Sequence, residues 1–219
     1  MKILGIDEAG RGPVVGSMFI GGFMIEKENL EDLEEIGVKD SKKLSDKKRE
    51  DLLKKIEKEG KVFVKEIEAQ EIDSLREVMS LNEIELQGFA SVIEKAKADK
   101  VVMDLPEPNG ERFIKKIKKE IPRSLREAEF IAEHGADDKY PIVSAASIVA
   151  KSAREKHIDE LKEKYDVNFG SGYPHDEPTR EFLRKYYQEK EEFPKETRMS
   201  WSSVQKIKEK ASQSSIEEF

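Results

Sequence analysis

The run Gly5-Ile6-Asp7-Glu8-Ala9-Gly10-Arg11-Gly12-Pro13 sets two adjacent carboxylates at the end of an apolar stretch and follows them at once with an arginine between glycines. Carboxylates gathered at a strand end hold Mg²⁺ or Mn²⁺, and glycines let backbone N–H groups come close to a phosphate or sugar. That pairing suits phosphodiester chemistry. Two neighbouring acids closing an apolar strand repel each other and gain nothing from packing, so Asp7-Glu8 reads as functional. Asp104 and Asp137 also fall at the ends of predicted strands or at a helix entrance, where an acid taken alone is ordinarily a turn former. With Asp7 and Glu8 they make four carboxylates, a set that fits two metals, one activating water and the other stabilising the leaving oxygen. Either Asp137 or Asp138 could cap the helix that begins near Pro141, so the pattern alone leaves open which of them enters the site. Gly10 to Gly16 is not a dinucleotide fingerprint, because three residues separate its second and third glycines and Pro13 stands where a helix should start.

Those residues need elements to carry them. Lys2 to Ile6 reads as a buried strand and Val14 to Ile25 as a longer one, the short link making a hairpin and the pair Gly21-Gly22 marking a bulge. Ser45 to Lys58 has helical periodicity, Gly60 stops it, and Lys61 to Ile67 alternates like a strand. Ser80 with Glu83 makes a capping box for a helix running to about Lys97, before a strand from Lys100 to Leu105 that carries Asp104. Glu129 to Glu133 is a further short strand, and Pro141 opens a long helix with a face of small residues, Ala146, Ala150 and Ala153, which implies close packing. The order suggests an α/β layer fold with a mixed sheet. After the turn-rich Gly170-Ser171-Gly172-Tyr173-Pro174 come helical segments at Glu177 to Lys190 and Ser200 to Lys210. The expected organisation is therefore a catalytic domain over 1–170, a helical C-terminal extension over 171–211, and a mobile tail over 212–219.

Composition narrows the class. A chain of 219 residues can bury a full core. No stretch approaches the roughly 20 apolar residues of a membrane span, and the N-terminus enters a strand without a leader, so a soluble, cytoplasmic protein with no membrane partner is expected. The absence of cysteine rules out disulfides and thiolate metal sites, and three histidines, His134, His157 and His175, show no metal-ligand spacing. Oxygen ligands are favoured. The formal charge of −7 argues against a uniformly basic nucleic-acid binder, but charge is uneven, with Lys-rich Ser41 to Arg49 and a basic run from Arg112 to Arg126. Each basic run taken alone reads as a solvated face.

Asp40-Ser41-Lys42-Lys43-Leu44, Asp104 at its strand end, and Asp137 followed by Tyr140-Pro141 and Ser144-Ala145-Ala146-Ser147-Ile148-Val149-Ala150-Lys151 join the N-terminal run in a pattern that resembles type 2 ribonuclease H in its archaeal form. The resemblance spans most of the chain. It implies a ribonuclease H-like mixed sheet flanked by helices, with a helical C-terminal extension. It also implies metal-dependent hydrolysis of the RNA strand in RNA/DNA hybrids and nicking 5′ of ribonucleotides embedded in duplex DNA, leaving a 3′-hydroxyl and a 5′-phosphate. By position, Asp7, Glu8, Asp104 and Asp137 resemble the carboxylates that bind Mg²⁺ or Mn²⁺, and this resemblance selects Asp137 over Asp138. Gly10, Arg11 and Gly12 resemble the loop that senses the ribose 2′-hydroxyl, the group that separates RNA from DNA. Tyr173 resembles the tyrosine that stacks against the sugar beside the ribonucleotide; a large aromatic between Gly172 and Pro174 has little regular structure to pack into, although it could simply anchor the loop. Lys42, Lys43, Ser147 and Lys151 resemble phosphate-contacting positions. Gln213, Ile216 and Phe219 are spaced as in the peptide by which replication proteins dock on a sliding clamp, with the usual second aromatic missing.

Two other readings fit part of this pattern. One is a nuclease of the same fold that ignores the sugar, and the other is a non-catalytic nucleic-acid-binding module recruited by a clamp. Nothing in the sequence demands a second subunit, and a monomer is the expectation.

Overall fold

Residues Lys2–Ala9 form a strand, β1, buried at nearly every position, the mark of a strand covered on both faces. The computed structural model describes residues 1–38, 46–106 and 109–214. Residues 40–44, with Lys42 and Lys43 among them, and Ile216 and Phe219 lie outside the described residues. In chain order after β1 come β2 (Met18–Glu26), α1 (Leu30–Glu35), α2 (Asp46–Glu59), β3 (Lys61–Ile67), α3 (Ala69–Arg76), α4 (Leu81–Ala96) and β4 (Lys100–Asp104). They are followed by α5 (Gly110–Glu120), β5 (Glu129–Glu133), α6 (Ala136–Lys139), α7 (Pro141–Tyr165), α8 (Glu177–Lys190) and α9 (Ser202–Ser214).

The sheet has five strands in the order β3-β2-β1-β4-β5. It is mixed, because β1 pairs antiparallel with β2 but parallel with β4, and β4 pairs parallel with β5. The α/β layer expectation therefore holds, and the parallel pairs are connected by the helices that cover the sheet.

The chain divides into two compact units, one of Met1–Ala9, Phe19–Glu66 and Leu81–Glu155, the other of Gly10–Met18, Ile67–Ser80 and Lys156–Phe219. The first holds the sheet. Its core includes Ile3, Phe23, Ile25, Val102 and Ile142 to Val143, extended by Leu33, Leu52 and Ile56. In this unit α5 turns Phe113 and Ile117 inward, with Phe113 edge-on to Phe89, and leaves most of its basic residues at the surface. The basic run is a solvated face, as read.

The second unit has its own core, in which Val14 and Val15 pack with Ile158, Leu161, Phe169, Phe182, Leu183, Val204 and Ile207. This corrects one expectation. Val14 and Val15 do not begin β2, which starts at Met18; their apolar side chains serve the second core instead, and the backbone turns at Gly16 with φ of 94°. Residues 10–18, 67–80 and the last part of α7 group with α8 and α9 in this unit. Helix α9 also runs on to Ser214, past the expected start of the tail, with Gln213 in its last turn.

Gly21 and Gly22 form no bulge. The β1–β2 register is unbroken, Asp7 opposite Gly21 and Ile6 opposite Gly22. The reason for the glycines is the approach of helices from both sides. A Cβ on Gly21 would lie 2.5 Å from the Ala146 carbonyl oxygen and 2.6 Å from the Ala150 nitrogen of α7, and one on Gly22 would lie 2.5 Å from Val92 of α4. Gly5 meets α7 more closely still, its Cβ position falling 2.1 Å from the Ile142 carbonyl oxygen.

Because the atoms facing Gly5 are helix backbone rather than a flexible side-chain end, a methyl group there must push α7 off the sheet. Gly5→Ala should destabilise by about 1–3 kcal/mol or more. At about 2–4 °C per kcal/mol for a chain of this size, calorimetry should record a melting temperature several degrees lower. A melting temperature equal to the parent's would refute the close contact.

Candidate active site

Asp7 follows directly on the apolar part of β1, and the parallel pairing of Ile6 with Met103 puts Asp104 one step further along the neighbouring strand. Sheet register, not sequence proximity, therefore brings these acids together. Carboxylate oxygens of Asp7, Glu8 and Asp104 lie within 4.8 Å of one another. Asp7 is only 5% exposed, whereas Glu8 and Asp104 are half-buried.

Asp7 and Asp104 are each held by nearby donors. The Glu8 N–H donates to Asp7 Oδ1 at 2.8 Å, and the buried Ser147 hydroxyl of α7 also bonds to the Asp7 carboxylate. Lys151, one turn on, donates from Nζ to Ser147 Oγ at 2.6 Å. Lys151, Ser147 and Asp7 are thus linked by successive hydrogen bonds. On the other side, the chain leaving β5 turns at Gly135, whose φ is 65°, and the Ala136 N–H donates to Asp104 Oδ1 at 2.8 Å. The short α6 that follows carries Asp137, 8% exposed, and Asp138, which is exposed. Asp137 stands outside the 4.8 Å trio, but its charge is close enough to raise the Asp104 pKa.

Burial pushes the Asp7 carboxyl well above its ordinary value, and repulsion from Glu8 and Asp104 adds to the shift. Asp104 is raised too, first by desolvation and, more weakly, by Asp137, against the lowering effect of the Ala136 N–H. Such a cluster is costly without a counter-charge. Three converging oxygen donors of like charge, with one deeply buried, are the donor set that a hard divalent cation satisfies, so the residues fit Mg²⁺ or Mn²⁺.

The second unit holds the glycine loop and the tyrosine. Gly10 has φ of 83°, a left-handed conformation suited to glycine. The Tyr173 ring lies against Gly12, where an added Cβ would sit 3.4 Å from its Cε1, and its centroid is 5.5 Å from that of His175. The Tyr173 loop is itself tied down, because the Gly172 carbonyl accepts from the Val14 and Val15 N–H groups at 2.8 and 3.2 Å. Asp176 accepts from both the N–H and the hydroxyl of Ser171, which holds its carboxyl below the usual range. His157 accepts the Ser17 N–H at Nε2, at 3.2 Å.

Sequence reasoning missed Arg198, which is fully buried and bonded to the carbonyls of Gly10, Arg11 and Gly16. It also missed Trp201, whose indole N–H donates to the Gly12 carbonyl at 3.3 Å. The available signal was the single tryptophan of the chain, three residues after an arginine, in a stretch whose polar neighbours otherwise look like surface.

The family model for ribonuclease HII matches residues 4–204. Ribonuclease HII of Methanosarcina barkeri is 46% identical over 215 residues, covering 95% of this chain and 96% of that protein. The crystal structure of ribonuclease H2 from Pyrococcus horikoshii superposes with a TM-score of 0.90 at 42% identity, covering 97% of this chain and all of that one. A complex of PCNA with ribonuclease HII from Archaeoglobus fulgidus contains a chain matched at 36% identity with a TM-score of 0.84, covering 92% of this chain and 96% of that one.

The raised Asp7 pKa has a consequence for stability. Between the ordinary carboxylate range and its own raised value, folded Asp7 holds a proton that the unfolded chain has lost, so metal-free stability falls as the pH rises through that window and stays reduced above it. Asp7→Asn removes the charge while its amide oxygen can still accept the Glu8 N–H. Without metal at neutral pH the variant should melt several degrees above the parent, and it should lose most of the further rise that Mg²⁺ or Mn²⁺ gives the parent. A lower metal-free melting temperature for the variant would sink this account of the cluster.

Proposed function

Because this chain belongs to the ribonuclease HII family of metal-dependent endoribonucleases, which hydrolyse the RNA strand of RNA/DNA hybrids, we propose that it also nicks duplex DNA on the 5′ side of a single embedded ribonucleotide. The product ends would be a 3′-hydroxyl and a 5′-phosphate. The observation that carries the hydrolytic half of this reading is the convergence of Asp7, Glu8 and Asp104 oxygens at the end of two parallel strands.

In this proposal Asp7, Glu8, Asp104 and Asp137 hold the divalent ions, with Mg²⁺ and Mn²⁺ both acceptable to an all-oxygen set. A divalent metal bound there supplies charge for the reacting phosphate and lowers the pKa of water. The chain supplies the positioning. The Glu8 N–H and Ser147 fix Asp7, and the Ala136 N–H fixes Asp104, so both acids are oriented before substrate arrives. Lys151 offers a positive charge beside the same cluster, suited to a backbone phosphate. Lys42 and Lys43 are proposed for further phosphate contact from their resemblance alone.

Ribose recognition is assigned to Gly10, Arg11, Gly12 and Tyr173. Support comes from the left-handed Gly10, from the Tyr173 ring lying on Gly12, and from the hydrogen bonds that tie the Tyr173 loop to Val14 and Val15. A backbone amide can donate to a 2′-hydroxyl that DNA lacks, and an aromatic face can stack on a sugar. For Gln213, Ile216 and Phe219 the proposed partner is a sliding clamp, and the Archaeoglobus fulgidus complex supports it by similarity.

The direct test is a labelled DNA duplex with one ribonucleotide, incubated with Mg²⁺ or Mn²⁺ and mapped at nucleotide resolution. A nick 5′ of the ribonucleotide and none in the all-DNA control is expected. Equal cutting of both duplexes would favour a nuclease that ignores the sugar, and tight binding without cutting would favour a binding module. Asp104→Asn should lower the rate by at least about 10²-fold, the loss of several kcal/mol of charge stabilisation. Tyr173→Ala should impair cutting at the ribonucleotide while leaving metal affinity unchanged. Removal of residues 213–219 should abolish clamp binding, measured by calorimetry, without slowing the nick.

A further inference from the structure

Arg198 is fully buried, and its guanidinium donates from Nη2 to the Gly10 carbonyl at 2.6 Å, from Nη1 to the Arg11 carbonyl at 2.9 Å and from Nε to the Gly16 carbonyl at 2.9 Å. The three acceptors belong to the backbone of the glycine loop and the turn after it. A trans peptide is planar, with its C=O and the following N–H pointing in opposite directions. Aiming the Gly10 and Arg11 carbonyls at Arg198 therefore aims the N–H groups of Arg11 and Gly12 away from it. The Gly12 carbonyl is taken by the Trp201 indole, and the peptide beyond it ends at Pro13, which has no N–H. The loop thus turns two successive amide donors to one side.

We infer that Arg198 is a positioning residue for ribose recognition: by reading the carbonyl side of the Gly10-Arg11-Gly12 backbone, it presents the Arg11 and Gly12 N–H groups to the sugar-phosphate of the substrate. A positive charge on the carbonyl side also polarises each peptide, which makes its N–H a stronger donor. A planar fork with donors in three directions suits this task, and a lysine ammonium in the same space cannot reproduce it. Arg198 is in turn held in place. Its own N–H donates to the Val14 carbonyl at 2.8 Å, its guanidinium lies 5.1 Å from the Trp201 ring centroid, and Asp73 of α3 accepts the N–H groups of Met199 and Ser200 at 2.6 and 2.9 Å. Exchanging Arg198 should act on the turnover of a correctly bound substrate more than on binding, since the phosphate-neutralising charges and the carboxylates stay in place.

The inference rests on the loop being the ribose reader, and the experiment separates the two. Arg198→Lys, Asp73→Ala and Gly12→Ala are compared on the single-ribonucleotide duplex for kcat, KM and melting temperature, with Mn²⁺ affinity measured by calorimetry without DNA. Arg198→Lys should lower kcat by about tenfold to 10²-fold, the scale of a small misplacement of a contacting group, with KM and Mn²⁺ affinity nearly unchanged. Asp73→Ala should show a smaller loss of the same kind, and it carries the test if the lysine variant does not fold. The double variant Arg198→Lys with Gly12→Ala should lose little more than the worse of the two alone, as for residues acting through one element. An unchanged kcat in a folded variant, or a loss that vanishes once each enzyme is assayed equally far below its own melting temperature, would overturn the role of Arg198. If Gly12→Ala keeps full ribonucleotide preference, the loop reading itself fails. If Gly12→Ala removes that preference while Arg198→Lys has no effect, only the inference about Arg198 fails.

Discussion

How closely α7 can lie on the sheet decides whether Ser147 reaches Asp7. Gly5 and Gly21 leave no side chain between the strands and the α7 backbone, and the helix answers with Ala146 and Ala150 on either side of Ser147. A larger residue at any of these places would lift the hydroxyl from the carboxylate. The Lys151 charge, bonded to the same hydroxyl, would move with it. Packing density and acid placement are here one constraint, and dispersion contacts of bare backbone against bare strand set a distance that a hydrogen bond then uses.

The acids themselves oppose folding. Desolvation and mutual repulsion both raise Asp7, so the unit keeps a cluster that its core must outweigh. A site built in this way is preorganised for a cation and tolerable because the surrounding core is extensive. The donors that orient Asp7 and Asp104 are mostly backbone N–H groups, which need no particular residue type. That is why the sequence shows the acids and hides what holds them.

Much of the architecture was legible in periodicity. β3, β5 and α8 have the boundaries their patterns suggest, and α7 starts at Pro141 as its pattern suggests, because Gly60, Pro141 and the alternation of Lys61 to Ile67 act locally. Asp7-Glu8 was legible because nothing in packing accounts for adjacent acids on an apolar strand. Other features depended on distant partners. Gly21-Gly22 looks the same in sequence whether it marks a bulge or a helix contact, and Val14-Val15 looks like a strand whether it extends β2 or fills a second core. Asp137 and Asp138 are equivalent in local pattern, where only the family resemblance tells them apart, and they differ in burial, one buried and the other exposed. The short α1 and α3 are too brief for a periodic signal. Arg198 shows the limit most clearly, since its acceptors are carbonyls 182 to 188 residues away in the chain and the nearby Trp201 is its one local sign.

The parallel pairing of β1 with β4 has a temporal meaning. Asp7 and Asp104 can meet only after the chain has closed a loop through β2, β3 and α4, and parallel ladders of this separation are slow to form, because loop entropy is spent before the pairing returns it. On the ribosome, the first acids emerge well before their partner strand exists. A partly made chain therefore carries Asp7 and Glu8 without a complete cluster, and the capacity to bind metal strongly arises together with the finished sheet. Catalytic competence therefore depends on the β1–β4 pairing having been made.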